Sequence, residues 1–309
     1  MRGRPVVPAP FPLPAAAPAL VRYGAYPLVA AIAFVPALMA VGRGWDRDLA
    51  FLGISLFVYA ACPLVEASWP YRAEWRMDGR GFRRDLQFGG LSLLTGWVVN
   101  LVAASVTMRL TLPHPGWLSR APLALALPAG LVVYELSNYV HHRWSHGGRG
   151  RVGGFLWRVH AVHHIPERMN GLMTLTGHPL NVLVQRITTV AIPLWTLGLD
   201  LDAIFLLNVV VMVVGTLSHW NVDSRLGPVN HLLVGPEVHR WHHDARPGSS
   251  ANFGTVLSLW DRLFGTFRYR RDEAPPGVGV WNPDGYPESD DVPALLSLAF
   301  RPPRVPPPG

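Results

Sequence analysis

The stretch from Ala121 to His146 reads APLALALPAGLVVYELSNYVHHRWSH and joins an apolar run directly to a pair of histidines. The apolar part, Ala121–Val140, matches the roughly 20 residues that a membrane-spanning helix needs. His142 and His146 follow without a break, and their i, i+4 spacing puts both imidazoles on one face of a helix. The stretch therefore predicts a membrane helix that presents two histidines at its end.

Two further histidine clusters repeat this spacing along the chain. They are His160, His163 and His164, and His239, His242 and His243. Eight clustered imidazoles exceed the four ligands of a structural zinc site. Imidazole also binds iron, which unlike zinc changes its redox state and activates O2. The clusters therefore predict two close metal ions at an oxidative site.

Composition places the rest of the chain in a membrane. Half of the residues are hydrophobic and 15% are charged. The apolar runs that predict four spans are Tyr26–Val41, Leu49–Val65, Leu86–Met108 and Ala121–Val140. Two later runs, Leu180–Leu197 and Leu201–Leu217, predict a hydrophobic hairpin whose full crossing stays open. We expect an all-α integral membrane protein with about four transmembrane helices, this hairpin, and a cytoplasmic helical cap that holds a histidine-rich dimetal site.

The net charge of +7 comes entirely from arginine, because the chain has no lysine. Arginines concentrate in residues 72–84, between the second and third spans, and in residues 143–158, after the fourth. By the positive-inside rule this richer side is cytoplasmic. We expect a bacterial inner-membrane protein whose histidine clusters face the cytoplasm, and whose basic charge meets anionic lipid headgroups rather than nucleic acid.

Other sequence signals bound the domain. Cys62 is the single cysteine and lies in a predicted span, so we expect neither an internal disulfide nor a thiolate metal site. The N-terminal residues show no clean signal peptide. We predict a Pro-rich disordered tail over residues 1–20, one domain over residues 21–271, and a Pro/Gly-rich tail with little helix over residues 272–309.

Glycine and proline predict the ends of the helices that carry the histidines. Gly147-Gly148 and Gly153-Gly154 are expected to break the chain before the second cluster, and Pro166 to end the helix that carries it. Pro236 is expected in the first turn of the helix that carries the third cluster.

Three histidine motifs and the segment after them resemble a known family. The motifs are Tyr139–His146 (YVHHRWSH), Trp157–His164 (WRVHAVHH) and Glu237–Asp244 (EVHRWHHD), followed by Asn252–Gly254 (NFG) and Leu259–Thr266 (LWDRLFGT). In this order, over about residues 85–270, they resemble the fatty acid hydroxylase/sterol desaturase superfamily. The resemblance implies a centre of two irons, which zinc can replace in purified protein, and O2-dependent hydroxylation or desaturation of unactivated C–H bonds in lipids.

Position by position, the resemblance implies nine metal ligands. They are His142, His146, His160, His163, His164, His219, His239, His242 and His243. Some members have a further histidine where this chain has Asp223, which would bind metal, orient His219 or leave that coordination vacant; orientation is favoured. His178, in a His-Pro pair that recurs in the family, is expected either to bind metal or to support a ligand.

Acidic and amide residues around the motifs are expected to support the ligands. Glu135 lies two helical turns before His142, with Asn138 between them, and a buried carboxylate there could accept the free N–H of a metal-bound imidazole. A structural hydrogen bond to a neighbouring helix is the alternative. Asp244 and Asp261 are expected to do similar work or to pair with Arg240 and Arg262, and the structural reading is favoured for Asp261.

Three other histidines are left out of the predicted ligand set. They are His141, expected at the surface, His231, and His114, expected in a loop on the far side of the membrane.

These features lead to one favoured function and its alternatives. We hypothesise a membrane di-iron oxygenase that hydroxylates an apolar, lipid-like substrate with O2 and two external electrons. The chain shows no flavin, haem or ferredoxin segment, so the donor is expected to be a separate ferredoxin or a cytochrome b5-type protein with its reductase. The alternatives are a desaturase with the same centre, a non-enzymatic membrane metal-binding or transport protein, and a zinc hydrolase.

Overall fold

The computed structural model describes residues 17–109, 116–147, 150–187 and 196–301, with the backbone alone for residues 100–109. The helices bounded within these residues are α1 (Ala19–Arg43), α2 (Arg47–Ser68), α3 (Gly79–Arg109), α4 (Leu123–Gly147), α5 (Gly150–His164), α6 (Pro179–Arg186), α7 (Leu201–His219), α8 (Pro236–His242), α9 (Leu259–Leu263) and α10 (Val292–Ser297). In this part of the chain β-type pairing is limited to isolated bridges, such as that of Leu233 with Leu257.

Four described helices, α1, α2, α4 and α7, are long and apolar enough to cross a membrane. The first three match predicted spans, and α7 is the second arm of the predicted hairpin. The run Leu86–Met108 lies in α3, whose last part, residues 100–109, is described by its backbone alone, so its span stays a prediction. Residues 188–195, in the first arm of the hairpin, lie outside the described residues. The prediction of an all-α integral membrane protein is confirmed.

Helix α7 is the centre of the membrane bundle. It packs on α1, α2 and α4, and its Val209 and Val213 are fully buried. On α1 the facing positions Ala33 and Ala37 are also fully buried. Small residues let helix backbones approach closely, and the van der Waals contact that results contributes to association between helices in lipid.

Two ion pairs show which helix ends lie at the same end of the bundle. Arg22, near the start of α1, lies 2.6 Å from Asp223, which follows α7. At the opposite end of the bundle Arg47, at the start of α2, lies 2.7 Å from Asp202, at the start of α7. The start of α1, the end of α2 and the end of α7 therefore share one end of the bundle. This agrees with the predicted grouping of the N-terminal segment, the 67–85 loop and the histidine clusters.

The ends of the histidine-bearing helices mostly follow the predicted signals. Pro166 lies just beyond the end of α5, and Pro236 is the first residue of α8, as predicted. The prediction that Gly153 and Gly154 break the chain was wrong, because α5 already begins at Gly150. Gly153 is buried inside α5, and packing there offsets the roughly 1 kcal/mol that a glycine costs in a helix.

The described part of the C-terminal segment packs against α5. Leu295 of α10 is fully buried in a cluster that includes Trp157 and Val162 of α5 and Val280 before α10. Only one short α-helix occurs in this described segment, in keeping with its proline and glycine content. The predicted domain boundary at residue 271 stays a prediction.

Candidate metal centre

Nine histidines converge where α4, α5, α7 and α8 meet. One group, whose ligand atoms all lie within 4.8 Å of one another, consists of His142, His146, His160, His164 and His242. A second group with the same limit consists of His163, His219, His239 and His243. We call them the five-histidine group and the four-histidine group. The structure thus brings together all nine positions that the sequence predicts as ligands, while metal binding by them stays a prediction.

The two groups are adjacent because two helices serve both. On α5, His163 belongs to one group and His164 to the other, since successive residues of a helix point in different directions. His242 and His243, at the end of α8, divide in the same way. The rings of His164 and His243 stack across the boundary with centroids 4.3 Å apart. This closeness suits two neighbouring ions rather than two independent sites.

In the five-histidine group, backbone carbonyls fix the orientation of two rings. The Nδ1 atom of His142 lies 2.7 Å from the carbonyl oxygen of Phe253, and that of His242 lies 2.9 Å from the carbonyl oxygen of Ala251. A carbonyl can only accept, so each Nδ1 carries the proton and donates it. The Nε2 atom of a neutral ring is then a bare lone pair, and it faces the interior of the group.

Backbone carbonyls also fix the orientation of two rings in the four-histidine group. Nδ1 of His163 donates to the carbonyl oxygen of Thr176 at 3.1 Å, and Nδ1 of His219 donates to that of Gly215 at 2.6 Å. Both Nε2 atoms are therefore acceptors, yet they lie 3.0 Å from each other. Nε2 of His239 lies 2.8 Å from that of His219. The facing lone pairs of His163 and His219 repel one another unless a cation lies between them.

A bound transition metal fits this arrangement. Two nitrogens that bind one ion at about 2.1 Å lie about 3.0 Å apart when the bonds are at right angles and about 3.4 Å apart in a tetrahedron. The Nε2 separations of 3.0 Å for His142 and His160 and 3.2 Å for His239 and His243 fall near this range. Nitrogen-only ligand sets suit iron, copper, nickel or zinc.

Burial keeps these rings neutral, which is the form that binds metal. Eight of the nine histidines are buried and His163 is half-buried. Burial lowers the pKa of His163 to about 4. Burial also holds the pKa well below its usual value in the other rings outside the membrane helices, which are His160, His164, His239, His242 and His243.

Two buried carboxylates hold the loop that presents carbonyls to the five-histidine group. Asp261 accepts the backbone N–H groups of Phe253 at 2.8 Å and Gly254 at 2.7 Å. Glu135 of α4 accepts the backbone N–H groups of Thr255 and Val256. The loop is thus fixed on the side opposite to its carbonyls.

This arrangement changes the role expected for Glu135. Its carboxylate holds the loop rather than accepting an imidazole N–H, because the loop carbonyls already occupy that position. Asn138 likewise contacts the loop, through Nδ2 and the hydroxyl of Thr255 at 3.1 Å. The structural reading favoured for Asp261 agrees with its contacts, although its partners are backbone amides and the hydroxyl of Thr266 rather than Arg262.

Asp223 does not orient His219 and lies in neither group. Its carboxylate binds Arg22 at 2.6 Å and Arg225 at 2.8 Å, and Gly215 supplies the acceptor for His219. The favoured expectation for Asp223 was therefore wrong, because two guanidinium groups occupy its oxygens.

His178 also lies outside both groups, with both ring nitrogens in use. Nδ1 accepts the N–H of Leu180 at 3.1 Å, and Nε2 donates to the carbonyl oxygen of Leu296 at 3.0 Å. The ring therefore caps α6 and ties it to the segment that carries α10. It has no free lone pair for a metal.

Of the three histidines left out of the predicted ligand set, His141 does not lie where it was expected. His141 is buried, not at the surface, because α4 continues past it into the protein. His231 is exposed and lies against Phe267 and Tyr269, away from both groups. His114 lies outside the described residues.

Asp244 does pair with arginine, but not with the expected one. It binds Arg246 at 2.5 Å. Arg240 instead donates to the carbonyl oxygen of Val222 at 2.7 Å and lies over the ring of Tyr71 at 3.7 Å.

Sequence reasoning missed two buried carboxylates that hold the second carbonyl-bearing segment. Asp85 accepts the hydroxyl hydrogen of Thr176 at 2.6 Å, and Glu66 accepts the N–H of Gly171 at 2.7 Å. Both acids border apolar runs, and the high cost of a buried charge at such positions was the signal available.

Comparison with known proteins agrees with the motifs. Residues 127–266 match the family model described as fatty acid hydroxylase. An ornithine lipid hydroxylase of Rhizobium tropici is 33% identical over 165 residues, which are 53% of this chain and 48% of that protein. An alkylglycerol monooxygenase of Caenorhabditis elegans is 27% identical over 48% of this chain and 28% of that protein. A very-long-chain aldehyde decarbonylase of Oryza sativa is 29% identical over 54% of this chain and 60% of that protein.

The matches cover only part of each relative. The chain spans about half the length of the ornithine lipid hydroxylase and less than two thirds of the others. No solved structure gives a significant match. The family model, over residues 127–266, and these relatives nonetheless confirm the resemblance to the fatty acid hydroxylase/sterol desaturase superfamily that the histidine motifs carry.

Proposed function

We propose that the protein is a membrane di-iron oxygenase that hydroxylates an unactivated C–H bond of a lipid or other apolar substrate, with O2 and two external electrons. The observation that carries this proposal is the pair of adjacent, buried, all-imidazole groups whose nitrogen lone pairs face inward. The groups lie at one end of a bundle of apolar helices, where a substrate from the bilayer can reach them. The hydroxylase and monooxygenase names of two relatives support the same reaction class.

Some residues of the site would hold the metal, and others exclude water from it. The nine histidines would hold two irons, which supply redox change and O2 activation when bound. Carbonyl contacts at four of the rings keep Nδ1 protonated and aim Nε2 inward. Trp157 and Phe253 lie against His146, with ring centroids 5.3 and 5.5 Å away, and shield the five-histidine group from water. His163 is the one half-buried member of the nine, so the four-histidine group is the more exposed of the two.

The substrate and partners follow from the setting of the site. An apolar, lipid-like substrate suits a site reached from the bilayer, and the electrons come from a separate ferredoxin or cytochrome b5-type donor with its reductase. Arg76, Arg80 and Arg83 are exposed in the segment between α2 and the first turns of α3 and offer a basic surface to an acidic donor. The positive-inside rule assigns the site to the cytoplasmic face of a bacterial inner membrane.

Metal content and O2-dependent lipid chemistry test the proposal together. Protein expressed in iron-rich medium and purified in detergent is expected to hold about two irons per chain, with anaerobic spectra typical of a coupled di-iron centre. With a reductant and isotopically labelled O2, a lipid from an extract should gain one labelled oxygen atom. A variant with His142, His163 and His242 all changed to alanine should lose iron and activity, whereas His231→Ala, changed at an exposed histidine, should keep both.

Other outcomes identify the alternatives. Loss of two hydrogens from the lipid, without oxygen gain, indicates a desaturase with the same centre. One tightly bound zinc with O2-independent turnover indicates a hydrolase, and metal uptake into vesicles without lipid turnover indicates a transporter. Transport is disfavoured because all nine histidines lie together rather than along a path through the bundle.

A further inference from the structure

Glu66 is a buried carboxylate near the end of the membrane helix α2, 4% exposed. A buried acid in an apolar helix is costly unless its oxygens accept hydrogen bonds. One oxygen, Oε1, accepts two backbone N–H groups, from Gly171 at 2.7 Å and from Asn221 at 2.8 Å. Glu66 therefore joins two segments that are 50 residues apart in the chain.

The first of these segments presents a carbonyl to His163. Gly171 begins a short 3-10 helix, Gly171–Leu175, and the next residue is Thr176, whose carbonyl oxygen accepts the Nδ1 proton of His163. The segment sits directly on α2, because a Cβ added at Gly171 would lie 3.0 Å from Cβ of Cys62. The position of the His163 acceptor thus depends on the contact with α2.

The second segment follows His219 immediately. Asn221 lies two residues beyond it, and its N–H is the group that Glu66 accepts. The amide side chain of Asn221 is held in turn by the backbone of Arg72, with contacts of 2.8 and 2.9 Å. The end of α7, and with it His219, is therefore fixed against the end of α2.

Both segments serve the four-histidine group. His163 and His219 are the members of that group whose Nδ1 atoms bond to carbonyls, and their Nε2 atoms lie 3.0 Å apart. We propose that Glu66 is a positioning residue for the metal held by the four-histidine group. It lies outside the histidine motifs and outside residues 127–266, and its role rests on the metal centre proposed above.

The effect of Glu66 is selective because the five-histidine group has separate supports. The carbonyls of Phe253 and Ala251 orient His142 and His242, and Asp261 holds that loop. None of these contacts passes through α2. Loss of Glu66 should therefore weaken the binding of one iron and spare the other.

Release of iron to a chelator measures this selectivity on the iron-loaded protein. For Glu66→Ala we expect one of the two irons to leave at a roughly 10- to 100-fold lower chelator concentration than in the unchanged protein, the usual effect of losing a support of metal ligands. Glu66→Gln keeps an oxygen that can accept both N–H groups and should restore the unchanged release curve. Glu288→Ala removes an exposed glutamate of the C-terminal segment and should have no effect.

A second control separates positioning from general destabilisation. Val58→Ala removes buried volume from the same helix, where Val58 is fully buried, but touches neither N–H group. It should lower the melting temperature without changing iron release. If Glu66→Ala does not fold, Glu66→Asp replaces it, because a carboxylate shorter by one carbon cannot reach both N–H groups and should give the same selective loss.

Two results would overturn the role of Glu66. They are retention of both irons with unchanged release in Glu66→Ala, or an equal shift in Val58→Ala at a matched melting temperature. Failure of the unchanged protein to bind two irons is a separate result, since it contradicts the proposed function before any variant is compared.

Discussion

The Nε2 atoms of His163 and His219 lie 3.0 Å apart although Nδ1 of each ring is bonded to a backbone carbonyl. Two neutral imidazoles held in this way cannot hydrogen-bond to each other, because both facing nitrogens are acceptors. The backbone thus forces two lone pairs together in a buried site. A metal ion relieves that repulsion, so this pair links the fold to the chemistry.

Removing one member of the pair should lower the metal content. His219→Ala is expected to reduce iron from about two to about one per chain, because the four-histidine group keeps too few ligands to hold an ion while the five-histidine group is unchanged. Elemental analysis of purified protein measures the loss. His231→Ala, at an exposed histidine that contacts neither group, is the matched control, and equal iron in both variants would remove His219 from the ligand set.

The loop that carries Phe253 should not tolerate a side chain at position 254. A Cβ added at Gly254 would lie 2.3 Å from the carbonyl oxygen of Leu257 and 2.9 Å from Oδ2 of Asp261. Gly254→Ala should therefore cost about 1–3 kcal/mol of unfolding free energy, as overpacking does, and weaken iron binding in the five-histidine group. Thermal unfolding in detergent and iron analysis measure the two effects.

Its control is Gly53→Ala in α2, where an added Cβ meets nothing within 4 Å. That variant should be neutral or more stable, since alanine favours a helix interior. Unchanged stability in Gly254→Ala would show that the loop can shift without cost.

A change at Asp223 should lower the unfolding free energy and leave the iron content unchanged. Asp223→Asn weakens ion pairs with Arg22 and Arg225, whose side chains are 25% and 17% exposed. Partial exposure reduces the contribution of these ion pairs to stability, so we expect the unfolding free energy to fall by about 1–3 kcal/mol. Iron per chain should stay the same, and a drop in iron at an unchanged melting temperature would instead support a role at the metal.

His178 should make stability depend on pH. Burial lowers its pKa below the usual value, so below about pH 6.5 the unfolded chain binds more protons than the folded protein. The unfolding free energy then falls as pH falls, by at most about 1.4 kcal/mol per pH unit for this group. Protonation of Nδ1 also removes the acceptor for the N–H of Leu180.

His178→Asn keeps a side-chain oxygen at the start of α6 and cannot titrate. Its melting temperature should decline less than that of the unchanged protein between about pH 6.5 and pH 5, since the pKa difference is gone. Parallel declines in the two proteins would assign the acid sensitivity to other groups.

The sequence alone determined the membrane class and the shared helix faces of the eight clustered histidines, while His219 entered through the resemblance to a family. Spacing was sufficient for the clusters, because the i, i+3 and i, i+4 positions of a helix share a face whatever the helix packs against. The apolar runs likewise require helices, since a backbone in lipid must satisfy its own hydrogen bonds. These are local properties, and they can be read without knowing which helices touch.

Tertiary structure decided how the nine histidines divide into two groups and what orients them. Glu135, Asp223 and His178 each had a reasonable role at the metal by sequence, but each found other partners: loop amides, two arginines, and the backbone at Leu180 and Leu296. The sequence pattern did not predict a role for Glu66, because its two partners are backbone N–H groups, which nearly every residue has. Contacts of this kind depend on which segments meet after folding, and no spacing in the chain encodes them.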